Sequence, residues 1–198
     1  MKEGVVASTV AIGFMWLVAT ASGMSLVWDY EHSPGDPATA PERWPAASGL
    51  EHSPDRATLV MVAHPRCPCT RASVHELARL MGRVAGRVTA HVLVVRPSDA
   101  PDGWEKNDLW RAAADIPGVD VIDDDDGAET SRFGALTSGQ VVLYAASGRL
   151  LFAGGITASR GHEGDNTGRD ALVALVTGTD DVPRATPVYG CALTTPAS

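Results

Sequence analysis

Residues 58–73 read Thr58-Leu-Val-Met-Val-Ala63-His64-Pro-Arg-Cys67-Pro-Cys69-Thr-Arg-Ala-Ser73. The run 58–63 is apolar without alternation, the pattern of a strand buried on both faces. Residues 70–84 then carry Val74, Leu77, Ala78, Met81 and Val84 on one helical stripe, with Arg71, Glu76, Arg79 and Arg83 elsewhere. Two cysteines around a proline therefore sit between a buried strand and the first turn of a helix. Proline suits that turn because it has no N–H to leave unpaired.

Working outward, Val88 to Val95 is a second buried strand, ended by Arg96-Pro97. The pattern predicts a helix over 104–115, a short strand over Val119 to Ile122 and a short helix over Ala128 to Phe133. Val141 to Tyr144 and Leu150 to Ala153 flank Ala-Ser-Gly-Arg and read as a hairpin. Arg169 to Thr177 is a helix ended by Gly178 and N-capped by Asn166 or Thr167. The order β-α-β-α-(β-α)-β-β-α implies an α/β fold with a mixed sheet covered on both faces. In that topology Cys67-Pro68-Cys69, the segment Thr137-Ser138-Gly139 and the loop after Ala153 share one edge. The run Asp123 to Asp126 lacks the spacing of an EF-hand and is expected to be a solvated turn.

From Gly4 to Trp28 there is no charged residue and no histidine. As a helix this stretch spans roughly 37 Å, enough for a hydrocarbon core of about 30 Å. It is read as a signal anchor over 1–30 rather than a peptide cleaved at Ala19-Thr20-Ala21, since Met24 to Trp28 remain apolar beyond that site. A short cytoplasmic N-terminus and an exported C-terminal domain follow. Residues 31–56, with prolines 34, 37, 41, 45 and 54, are a linker or an extended arm that Trp44 could anchor. The domain proper is expected over 57–180, and residues 181–198 form a tail carrying Cys191. The whole chain has 16 Lys+Arg against 24 Asp+Glu, a net charge of −8, and no basic block, which argues against nucleic-acid binding. Three cysteines are too few for a disulfide-built scaffold.

A strand, Cys-Pro-Cys at a helix start and this element order resemble the thioredoxin-like superfamily. Val119-Asp-Val-Ile-Asp-Asp-Asp-Asp-Gly, Arg132-Phe-Gly, Val141-Val-Leu-Tyr and Gly148-Arg-Leu-Leu-Phe are similar to the second half of membrane-anchored extracytoplasmic thioredoxins. More narrowly, residues 64–73, Gly154-Gly-Ile-Thr and Arg160-Gly-His-Glu-Gly-Asp-Asn166 resemble bacterial RedB-like proteins. The resemblance implies a single-pass protein of the bacterial cytoplasmic membrane with its domain in the periplasm. It also implies that Thr137, Ser138 and Gly139 form a substrate-docking loop. Two departures stand out. One residue, not two, separates the cysteines, so either Cys67 is the attacking thiol or Cys69 takes the resolving place with Arg66 at the nucleophile's position. Gly139 stands where the superfamily places a cis-proline.

The leading reading is thiol–disulfide oxidoreduction through Cys67 and Cys69. The helix start, Arg66 and Arg71 would lower their thiol pKa. Cys191 is a candidate resolving thiol, and His64 or His162 a candidate for proton transfer or loop ordering. This reading needs no cofactor; its partners are protein thiols or disulfides, or a membrane electron donor. A second reading is a Cu or Zn delivery module using Cys67, Cys69, His162 and Cys191. A third is a redox-inactive binding domain. His32, His52, His75 and His91 are read as solvated or packing, and Glu163 or Asp165 as capping the last helix.

Overall fold

The computed structural model describes residues 2–36 and 39–193; the end of the tail, 194–198, and residues 1, 37 and 38 lie outside the described residues. The chain divides into two units, Met1–Ser33 and Pro34–Ser198. The first is one helix, α1 (Lys2–His32), whose stretch Ser8–His32 is 25 residues long with a mean hydropathy of 1.8. It is long and apolar enough to cross a membrane.

The second unit contains β1 (Ala57–Ala63), α2 (Thr70–Arg83), β2 (Val88–Arg96), α3 (Asp108–Ala114), β3 (Val119–Asp125), α4 (Ala128–Arg132), β4 (Gln140–Tyr144), β5 (Leu150–Gly155) and α5 (Thr167–Thr177). The strands order as β3-β2-β1-β4-β5. β1 runs parallel to β2 and β2 to β3, while β4 is antiparallel to both β1 and β5. Central β1 needs its unbroken apolar run because its two faces feed two cores. Leu59, Met61 and Ala63 join Leu77, Leu80, Leu109 and Leu172 under α2, α3 and α5. Val60 and Val62 join Leu93, Phe133 and Tyr144 on the other face.

That second face is closed by α4 and, more extensively, by the proline-rich arm. Ala40 is buried there, and Trp44 packs edge-on against Phe133 and Tyr144, with ring centroids 5.1 and 5.4 Å away. The Tyr144 hydroxyl donates to the Pro41 carbonyl (3.0 Å), and Trp44 N–H donates to that of Gly148 (2.8 Å). His52 and His91 hold the arm by ring N–H donation to the carbonyls of Ala145 (3.0 Å) and Glu51 (2.9 Å). From Ala40 to Ser53 the segment packs on the domain through these contacts.

Several expectations need correction. β3 continues to Asp125, since as an edge strand it can turn acidic side chains outward while still pairing with β2. Asp124 turns inward and is 3% exposed; its carboxylate accepts the N–H groups of Glu129 and Thr130 (2.8 Å each), capping α4. The acidic run is thus a strand end with a cap, not a solvated turn. α3 begins at Asp108 rather than 104 because Asn107 is its N-cap, accepting from Leu109 (3.0 Å) and Trp110 (3.1 Å). On α2, Ala78 is exposed and Glu76 is fully buried.

Glu76 can be buried because its oxygens are saturated. Arg169 Nη1 donates to it at 2.5 Å, Gly164 N–H at 2.8 Å and Asn166 Nδ2 at 3.3 Å, and Arg79 closes the set. Asn166, not Thr167, caps α5 by accepting Arg169 N–H at 2.7 Å. Glu163 does not cap that helix; it pairs with His75 (2.6 Å) and Arg79 (2.9 Å). The loop between β5 and α5 is thereby tied to α2. Removing one partner of a buried ion pair leaves a charge uncompensated. We therefore expect Arg169→Met to cost about 3–5 kcal/mol of stability, and Glu76→Leu combined with Arg169→Met to cost less. Denaturant unfolding of the two variants checks the order.

Candidate thiol site

β1 delivers the chain into a turn in which Cys67 N–H donates to the His64 carbonyl (3.0 Å) and Thr70 N–H to that of Cys67 (3.2 Å). Cys69 is the N-cap residue of α2 and makes no side-chain cap. The turn is held from two sides. Asn107 Nδ2 donates to the Pro65 carbonyl (2.6 Å), so the cap of α3 also braces the cysteine loop. Ser138 Oγ accepts His64 N–H (2.8 Å) and shares a hydrogen bond with Thr70 Oγ1 (2.5 Å).

Gly139 departs from proline for structural reasons. Its φ is +92°, its N–H donates to the Val62 carbonyl (2.7 Å), and an added Cβ would press on Ser73 Oγ. Proline fixes φ near −65° and has no N–H, so it fits on neither count.

The tail returns to this edge. After α5, Ala153 N–H donates to the Arg184 carbonyl (3.0 Å), Thr186 Oγ1 to that of Gly155 (2.7 Å), and Gly35 N–H to that of Val188 (2.8 Å). The segment then pairs antiparallel with the residues before β4. Ser138 N–H donates to the Cys191 carbonyl (2.9 Å), Thr137 bridges Ala192, and Leu193 N–H donates to the Leu136 carbonyl (2.9 Å). A Cβ at Gly190 would overlap the Ser138 carbonyl oxygen, so this approach requires glycine. The result is that Cys191 Sγ lies 2.7 Å from Cys67 Sγ, a small closure from the bond length of about 2.05 Å. All three cysteines are free thiols.

The thiols are not equivalent. Burial pushes Cys67 up, but hydrogen bonds from Cys191 and Thr70 outweigh it and hold the thiol below its ordinary range. Cys191 is pushed up to about 12 by burial and by its proton shared with Cys67. Cys69 is raised by burial and then by the charge of Cys67. Of the three thiols, Cys67 is therefore the one whose pKa is lowered. The cation beside the sulfurs is Arg160, whose charge opposes the rise at Cys69 and Cys191 and whose Nη1 donates to the Gly190 carbonyl. Arg66 instead stacks over Trp104, 4.4 Å from the ring centroid, and Arg71 is exposed.

His64 and His162 each have hydrogen-bond partners of their own. His64 Nδ1 accepts Arg66 N–H (3.2 Å) and its ring meets the edge of Trp104; burial, then the Arg66 charge, lowers its pKa. His162 is exposed and donates Nδ1–H to the Arg160 carbonyl (3.0 Å), which orders its loop. Among the described residues no group of three or more His, Cys, Asp or Glu side chains is arranged to hold a metal ion. A cavity of about 460 Å³ between arm and tail, lined by Gln140, Ala153, Thr186 and Val188 among others, contains none of the sulfurs. Arg160, Asn107 and Thr70 are the residues that motif reading passed over. The signal for Asn107 was its place before a helix; Arg160 carried only its position in the loop after β5.

No protein-family model matches the chain, and no curated protein sequence matches it. Among solved structures it is similar to an uncharacterized conserved protein from Geobacillus kaustophilus, with a TM-score of 0.59 and 20% identity over 84% of this chain and 94% of that one. It is similar also to a hypothetical protein from Sinorhizobium meliloti 1021, with a TM-score of 0.58 and 23% identity over 84% and 96%. A thioredoxin-like protein in its oxidized form matches with a TM-score of 0.50 and 13% identity over 70% and 97%. At such identities the likeness is one of fold, and the fold of this chain is thioredoxin-like.

Two outcomes test the geometry. Cys191→Ala removes a hydrogen-bond donor from Cys67 but leaves Cys67 largely buried, so the midpoint of Cys67 ionisation should move up, read by ultraviolet thiolate absorbance against pH. Gly190→Ala should cost the docked tail about 1–3 kcal/mol and slow Cys67–Cys191 cross-linking by mild oxidant roughly tenfold.

Proposed function

We propose that this chain is a thiol–disulfide redox protein whose working pair is Cys67 and Cys191. It is held by α1 in the bacterial cytoplasmic membrane with its domain outside the cytoplasm, in the manner of the extracytoplasmic proteins its motifs resemble. The observation that carries the pairing is the 2.7 Å separation of the two sulfurs across the start of α2. The lowered pKa of Cys67 supports it, because the thiolate is the reactive form. In the exchange, the two thiols and a partner disulfide become the Cys67–Cys191 disulfide and two partner thiols, or the reverse. Two electrons and two protons pass between the pair and the partner. Cys69 stands beside this pair as a third, raised thiol outside the disulfide.

Equilibration with glutathione redox buffers, followed by acid quenching and mass measurement, tests the pairing. Wild type should lose two hydrogens in one transition. Cys67→Ser and Cys191→Ser should abolish it, and Cys69→Ser should retain it. Retention in Cys191→Ser with loss in Cys69→Ser would transfer the chemistry to the Cys-Pro-Cys motif. No transition in any form would favour a binding domain without redox chemistry.

A further inference from the structure

The three sulfurs differ in how far a partner can reach them. Cys67 is 2% exposed and Cys69 6%, while Cys191 is partly exposed. Cys191 Sγ lies against Cys67 on the segment Gly190 to Leu193, which is fixed by main-chain hydrogen bonds to Leu136 and Ser138 and by Arg160 at the Gly190 carbonyl. Resting on the Cys67–Cys191 pairing, we infer that the sulfur meeting a partner thiol is Cys191, on the tail, and that Cys67, at the helix start, is the internal leaving sulfur. This reverses the roles that the position of the cysteines along the chain suggests.

The steps balance as follows. A partner thiolate attacks Cys191 Sγ of the oxidised pair; the bond between partner sulfur and Cys191 forms, the Cys67–Cys191 bond breaks, and its electron pair leaves on Cys67. A second partner thiolate attacks the partner sulfur of the mixed disulfide. That forms the partner's disulfide and releases Cys191, beside Arg160, as a thiolate that then takes a proton from solvent. Two partner thiols are oxidised and the chain is reduced by two electrons. The first step needs a good leaving group behind the attacked sulfur, and the Thr70 hydrogen bonds that lower the Cys67 thiol remain while Cys191 is held in the mixed disulfide. The partner class is a protein or small-molecule thiol. The reverse reaction, reduction of an external disulfide, passes through the same mixed disulfide: deprotonated Cys191 attacks the partner disulfide and releases one partner thiolate, and Cys67 then attacks Cys191 Sγ and releases the second.

The test traps the first step. The full chain in detergent micelles is oxidised, its disulfide mapped, and limiting glutathione added; at early times acid stops the reaction and N-ethylmaleimide marks free thiols. Peptide mapping should find glutathione on Cys191 and N-ethylmaleimide on Cys67 and Cys69, with the Cys191 adduct at least tenfold above any other. Glutathione on Cys67 or Cys69 would overturn the inference while leaving the Cys67–Cys191 pairing intact. Failure of oxidation to yield a Cys67–Cys191 bond would overturn the pairing itself, and with it this inference.

Discussion

Two main-chain hydrogen bonds, from Ser138 to Cys191 and from Leu193 to Leu136, decide what this site is. They lay the tail as a short strand along the approach to β4, on the edge where Cys67 waits at the start of α2. Backbone pairing of this kind sets register, and a one-residue slip would turn Cys191 to the other face. Gly190 makes the approach possible and Gly139 shapes the opposite side, one through the absence of a Cβ and the other through a positive φ. The sulfur contact is a consequence of these backbone constraints. A long separation in sequence, residues 67 and 191, is closed by the sheet and not by the local motif.

A second constraint acts through the loop after β5. The buried pair of Glu76 and Arg169, with Asn166 and Gly164 completing the carboxylate's partners, ties that loop to the second turn of α2. A buried ion pair is weak evidence for stability, because desolvation offsets much of its attraction. Its structural effect here is positional: it fixes the loop that sends Arg160 toward the Gly190 carbonyl and the thiols. The cation of the site thus comes from the far end of the sheet edge, although Arg66 and Arg71 are nearer in sequence.

The fold was largely legible. The apolar run 58–63, the hairpin around Ala-Ser-Gly-Arg and the helix ended by Gly178 each carry a local pattern strong enough to read. Topology alone placed Cys-Pro-Cys, Thr-Ser-Gly and the post-β5 loop on one edge, where hydrogen bonds of Ser138, Gly139 and Arg160 now connect them. The misreadings share one cause. Glu76 lies off the apolar stripe and Asp124 in an acidic run expected to be solvated, yet each is buried and meets partners that satisfy it. No local pattern announces such a partner. Cys191 was legible as a reachable thiol, but the choice of Cys67 over Cys69 as its neighbour depends on the tail's register against Thr137 and Ser138.

The central claim is the pairing of Cys67 with Cys191, and the most direct measurement is disulfide mapping of the full chain isolated from oxidising conditions. Free thiols would be blocked before digestion, and linked peptides identified by mass before and after reduction. The account predicts one linked pair, the peptide containing Cys67 joined to that containing Cys191, with Cys69 blocked as a free thiol. A Cys67–Cys69 bond with Cys191 free, or three blocked thiols after oxidation, would contradict it.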